Sequence, residues 1–98
     1  MADIRIQKTG EHEERFSFSV AIEEAGSRST HQVTLSRSDH RELGVETESP
    51  EQFVRRCIEW LLERESKESI LSRFDIREIG QYFPRFREEI RKRQPQVP

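Results

Sequence analysis

The stretch Glu14-Arg-Phe-Ser-Phe-Ser-Val-Ala-Ile-Glu23 decides the fold. Its bulky apolar residues, Phe16, Phe18, Val20 and Ile22, all occupy even positions, with Ser17, Ser19 and Ala21 between them. Successive side chains of a strand point to opposite faces, so this alternation puts the four bulky groups on one face and the small ones on the other. A sheet with one apolar face must be covered on that side, and the cover has to come from elsewhere in the chain.

On the N-terminal side, residues 3–8 alternate Ile4 and Ile6 with Arg5 and Gln7, and a polar link containing Gly10 joins them to the central stretch. On the C-terminal side, Glu24-Ala-Gly-Ser-Arg28 reads as a turn, with Gly26 free to take positive φ. Residues 29–36 then alternate again, His31, Val33 and Leu35 sharing a face. Alternating runs around a short glycine-containing loop predict a hairpin. The expectation is an α+β fold built on a three-stranded antiparallel β-meander, residues 3–8, 14–23 and 29–36.

Beyond Ser36 the period changes to a helical one. Ser36 followed by Asp39 three residues later predicts a short helix over 37–43, ending near Gly44. Ser49-Pro-Glu-Gln52 is a stronger start, because Ser49 can cap free amides, Pro50 suits the first turn and Gln52 can close a capping box. From there Phe53, Val54, Cys57, Ile58, Leu61 and Leu62 make one stripe, predicting a main helix over 50–65. Ser66 and Ser69 break the pattern, and Ile70, Leu71 and Phe74 suggest a further turn or two. Asp75 with Glu78 offers another capping box, opening a short helix with Ile76 and Ile79 inward that Pro84 stops. Pro84 in turn opens a last helix over 84–93, with Phe86 and Ile90 inward. All these helices are expected on one sheet face, within a single domain over 1–93 followed by a disordered tail over 94–98.

Composition bounds what such a domain can do. Hydrophobic residues are 32% and charged residues 37%, so one modest core sits under a heavily charged surface. The net charge of −2 argues against a general binder of polyanions. Residues 1–50 carry six Lys/Arg against ten Asp/Glu, and residues 51–98 eleven against nine, which leaves room for a weakly basic C-terminal face. Cys57 is the only cysteine, so no intrachain disulfide forms and a reducing compartment is expected. No apolar run has the length of a signal-peptide core or a membrane span, and the expected location is the cytoplasm, with no membrane partner.

The sequence offers no catalytic, cofactor or metal set. His12, His31 and His40 have no familiar ligand spacing, and His31 reads better as a partly buried sheet residue. Ser38, Asp39 and His40 are adjacent on a helix, where neighbours point about 100° apart, so they form no triad among themselves. The four glycines follow no phosphate-loop spacing. Cys57, on the apolar stripe, reads as a small buried hydrophobe.

Two surfaces survive as candidates. Trp60 lies beside the Val54–Ile58–Leu61 stripe and, with Tyr82 and Phe83, is a candidate interface; the competing reading packs Trp60 at the core edge beneath the following helix. Arg73, Arg77, Arg85, Arg87 and Arg91, interleaved with aromatics, are candidate nucleic-acid contacts; the competing reading is a solvated helix face, since Glu88 and Glu89 interrupt the charge. The reading that follows is a non-enzymatic protein-interaction module, a homodimer or a small partner of another protein, with weak nucleic-acid binding as the alternative.

Thr30-His-Gln-Val-Thr-Leu-Ser36, Leu62-Glu-Arg-Glu-Ser-Lys-Glu-Ser-Ile-Leu71, Arg73-Phe-Asp-Ile76 and Tyr82-Phe-Pro84 resemble a group of short conserved-hypothetical bacterial proteins over most of residues 28–86. That resemblance implies a compact prokaryotic domain and brings no function and no site residue with it.

Overall fold

The computed structural model describes residues 2–93; the expected tail over 94–98 lies outside the described residues. The chain runs β1 (Asp3–Glu11), β2 (Arg15–Glu24), β3 (Ser27–Ser36), α1 (Arg37–Leu43), α2 (Pro50–Leu62), a 3₁₀ turn (Lys67–Ser69), β4 (Arg73–Asp75), α3 (Ile76–Tyr82) and α4 (Phe86–Lys92). The first three strands form the expected antiparallel meander, but the sheet has a fourth strand, in the order β1-β2-β3-β4, and β4 runs parallel to β3. The purely antiparallel three-stranded sheet is therefore corrected to a mixed four-stranded one. β4 replaces the helical turns expected around Ile70 to Phe74; it is three residues long, with Phe74 alone facing inward, so it offers no alternation to read.

The register bears out the period-two argument. Ile4 stands opposite Ile22, Ile6 opposite Val20, Phe16 opposite Leu35 and Phe18 opposite Val33. Phe16, Phe18, Val20, Ile22, Val33 and Leu35 are all buried, while the other face presents Ser17, Ser19, Ala21, Thr30 and Gln32 without a cover. At the edge, the β1 register shifts between Lys8 and Gly10, a bulge of the kind that blunts an open strand.

The β2–β3 hairpin closes with a two-residue loop, Glu24 pairing Ser27, and both loop residues have positive φ, 54° at Ala25 and 80° at Gly26. This is the turn sense that matches strand twist, and it favours Asn-Gly over Ala-Gly. Left-handed backbone costs a non-glycine residue roughly 1–2 kcal/mol, and asparagine tolerates it best. Ala25→Asn is therefore expected to stabilise the fold by about 0.5–1 kcal/mol. Urea denaturation reads this directly, and an unchanged or lowered midpoint would contradict the turn assignment.

The helix caps follow the sequence signals. The Ser36 hydroxyl accepts from Asp39 N–H, and Ser49 with Gln52 and Asp75 with Glu78 both form complete capping boxes. Helix α1 is capped by Gly44, whose N–H bonds the His40 carbonyl, and the position needs glycine because a side-chain carbon would come within 2.6 Å of that oxygen. Helix α2 ends at Leu62, short of the expected residue 65, with Glu65 N–H still bonded to the Leu61 carbonyl in a closing turn. Helix α4 begins at Phe86 because Pro84 sits in the turn before it, where Phe86 N–H bonds the Phe83 carbonyl.

The α2 helix is the centre of the molecule. Seven of its residues, Phe53, Val54, Arg56, Cys57, Ile58, Trp60 and Leu61, are buried, which is far more than one stripe. The helix touches β1 on one side and α4 on the other, so it is covered almost all round. Burial pushes the Cys57 thiol well above its ordinary range, so it stays protonated and unreactive. Among the described residues no helix is long and apolar enough to cross a membrane.

Candidate interaction groove

A cavity of about 320 Å³ opens where the end of α2, the 3₁₀ turn, β4 and α3 meet. Leu61, Ile70, Phe74 and Ile79, all buried, supply its apolar lining from below. Leu71, Tyr82 and Phe83 stand around it. Leu71 is 44% exposed and Tyr82 64%, and among the described residues these are the exposed large hydrophobics. Both border the same cavity, so the apolar surface left over by folding is concentrated there.

Each wall has a local cause. His31 is buried on β3, and its Nδ1 lies 2.7 Å from the Leu71 carbonyl oxygen, so that nitrogen carries the proton and donates. Its Nε2 lies 2.8 Å from Ser29 Oγ, so both ring nitrogens are engaged and the ring holds the Leu71 segment against the sheet. The Asp75–Glu78 capping box fixes the start of α3, which carries Ile79 and Tyr82. Phe83 caps α3 and packs edge-on against Trp60, their ring centres 5.5 Å apart.

The polar part of the lining is acidic. Glu65, Ser69 and Glu78 contribute to it, and no Lys, Arg or His does. Glu78 Oε2 accepts from Asp75 N–H at 2.8 Å as part of the cap. Glu65 has no ion pair among the described residues, and partial burial pushes its carboxyl above the ordinary carboxylate range.

The aromatic candidates therefore separate. Tyr82 and Phe83 border the cavity, whereas Trp60 is 1% exposed and belongs to the core beneath it. Its indole N–H donates to Glu89 at 3.2 Å, the Phe86 ring packs 5.0 Å away and the Arg64 guanidinium lies over its face. Leu71, Glu65 and Phe74 belong to the site but carry no sequence signal beyond being ordinary loop, helix-end and strand residues.

The five candidate arginines are spread over β4 (Arg73), α3 (Arg77), the turn before α4 (Arg85) and α4 itself (Arg87 and Arg91). Arg87 Nη2 lies 2.9 Å from Glu42, and Arg77 and Arg87 both approach the buried Asp39, at 3.6 and 3.7 Å. Among the described residues Asp39 Oδ2 has no hydrogen-bond donor, and these two cations are what compensates it. Arg77 also borders a depression with Arg15, Arg37 and Arg41, but Glu13 and Glu14 line the same depression.

The chain matches none of the protein-family models, curated proteins or solved structures with which it was compared. Among the described residues no three His, Cys, Asp or Glu side chains are grouped so as to hold a metal ion.

Proposed function

We propose that this chain is a non-enzymatic protein-interaction module working in a reducing compartment, and that it binds through the groove bordered by Leu71, Tyr82 and Phe83. The observation that carries this reading is the concentration of exposed apolar surface at a single concavity. Large exposed apolar side chains gathered at a cleft mark binding surfaces far better than scattered ones do. Against a catalytic use of the groove, Glu78 is occupied as a helix cap and no histidine, cysteine or lysine lines it. The nucleic-acid alternative draws less support, because Arg77 and Arg87 already serve Asp39 and Glu42.

Tyr82 and Leu71 should matter for association and little for folding. Tyr82→Ala with Leu71→Ser is expected to leave stability within about 1 kcal/mol of the parent, as for surface changes generally. A photo-reactive side chain placed at position 82 in the native host should then give a discrete protein adduct. The same group at Gln32, on the open sheet face, should not. Identical adducts from both positions, or none from position 82, would reject the groove as the binding surface.

A further inference from the structure

We propose, resting on the interaction reading above, that the groove's occupant is a short apolar segment of another protein carrying a Lys or Arg beside its apolar anchors. The groove is apolar except for Ser69 and two carboxylates, to which a cation is complementary. The groove shows carboxylates alone, Glu65 and Glu78. Of the basic side chains nearest by sequence, Arg64 is bonded to Glu89 and the Trp60 carbonyl, Lys67 to Ser27 and Glu68, and Arg77 lies 3.6 Å from Asp39, while Arg73 lines a neighbouring depression beside Glu78 and leaves Glu65 as the carboxylate without a nearby cation. Among the described residues Glu65 is thus left half-buried without an ion-pair partner, and an incoming cation would supply one.

Carboxylates in the lining disfavour the other occupants. Among the described residues the exposed large hydrophobics, Leu71 and Tyr82, both border the groove, so from these residues a second copy offers an apolar anchor by facing groove to groove. That arrangement would enclose two Glu65 and two Glu78 carboxylates with no lining cation, and like charges brought together in a desolvated contact are costly. Residues 94–98, Gln-Pro-Gln-Val-Pro, contain no Lys or Arg to complement the groove. A surface of anionic lipid attracts basic segments and would be repelled by carboxylates. A foreign segment with apolar anchors and a cation satisfies all three constraints, and a cavity of about 320 Å³ is of the size that takes a few anchoring groups.

The test selects from a randomised peptide library displayed on phage against the immobilised full chain, with binding of the selected peptides then measured by fluorescence polarisation. Enriched sequences should pair apolar anchors with Lys or Arg, and their affinity should fall at least about tenfold with Tyr82→Ala. Glu65→Lys should weaken the same peptides by a similar factor, and replacing the peptide's basic residue with Glu should restore part of the loss. Glu65→Gln serves as the milder variant should Glu65→Lys lower the unfolding midpoint. Peptides that depend on Tyr82 but need no basic residue and ignore both Glu65 variants would overturn the inference and leave the interaction reading standing. No enrichment, or binding indifferent to Tyr82, would overturn both. A dimer in sedimentation equilibrium that Tyr82→Ala dissociates would also overturn the inference, since it would make a second copy the occupant.

Discussion

Arg56→Ala is expected to destabilise the fold by about 3–5 kcal/mol, the range measured when one partner of a buried ion pair is removed. Arg56 and Glu48 are 6% and 5% exposed and meet in a two-pronged contact, Nε to Oε2 at 2.6 Å and Nη2 to Oε1 at 3.0 Å. The guanidinium does more than pair with the carboxylate. Its Nη1 donates to the carbonyls of Ile90 and Arg93, at 2.8 and 2.6 Å, and so satisfies oxygens that the C-terminal end of α4 leaves without helical partners. One side chain on α2 thereby fastens the α1–α2 loop and the end of α4 together. Truncation strands Glu48 as an uncompensated buried charge and unties both contacts. A domain of this size commonly has about 5–15 kcal/mol in total, so the variant should unfold well below the parent's urea midpoint. Arg56→Lys should recover only part of the loss, because an ammonium cannot reproduce the planar fork. Replacing the pair together, Glu48→Leu with Arg56→Met, should be less damaging than Arg56→Ala alone, since no charge is left behind. A loss under about 1 kcal/mol for Arg56→Ala would show that water, rather than Arg56, compensates Glu48.

This pair also shows where sequence reading stops. Strands β2 and β3 and the starts of α1, α2 and α3 were legible because local chemistry specifies them: bulky residues every second position, and side-chain oxygens placed to cap free amides. Nothing local specifies β4, whose three residues become a strand only because β3 presents an edge to them. Nothing local marks Arg56 as buried, because a charged side chain is ordinarily exposed. Its position three residues after Phe53 and four before Trp60 places it on an inward face once α2 is seen to be covered from two sides. The groove was half legible. Tyr82 and Phe83 could be named as aromatics in a short terminal segment, but Leu71 and Glu65 join them only through the fold that brings the 3₁₀ turn against α3. Exposure is a property of packing between elements, and a single sequence reports packing only where it is periodic.

Trp60 is the residue on which the wrong period misleads most, and Trp60→Ala is expected to cost about 3–5 kcal/mol. Measured from a stripe through Val54, Ile58 and Leu61, position 60 falls to the side and reads as a flank. Measured from Phe53 and Cys57, seven and three residues earlier, it lies on their face, and that face is turned toward α4. There Trp60 fills the space between Phe83 and Phe86, which pack edge-on at 5.5 and 5.0 Å, and its indole N–H is satisfied by Glu89. Arg64 spans the remaining side, 3.6 Å above the ring and bonded to the same Glu89 carboxylate. Truncation to Ala removes the largest fully buried side chain and leaves a cavity that two phenyl rings and a salt bridge cannot easily collapse into. For a domain of this size each kcal/mol lowers the melting temperature by roughly 4–8 °C, so the shift should exceed about 10 °C. The parent's indole emission should be blue and independent of protein concentration. A parent emission that is red at low concentration and moves blue only on association would place Trp60 at an interface, as would a Trp60→Ala variant of unchanged stability that no longer associates. Because Phe83 leans on Trp60 and borders the groove, the variant should also lose groove binding even where it remains folded, whereas Tyr82→Ala should lose binding with the melting temperature intact.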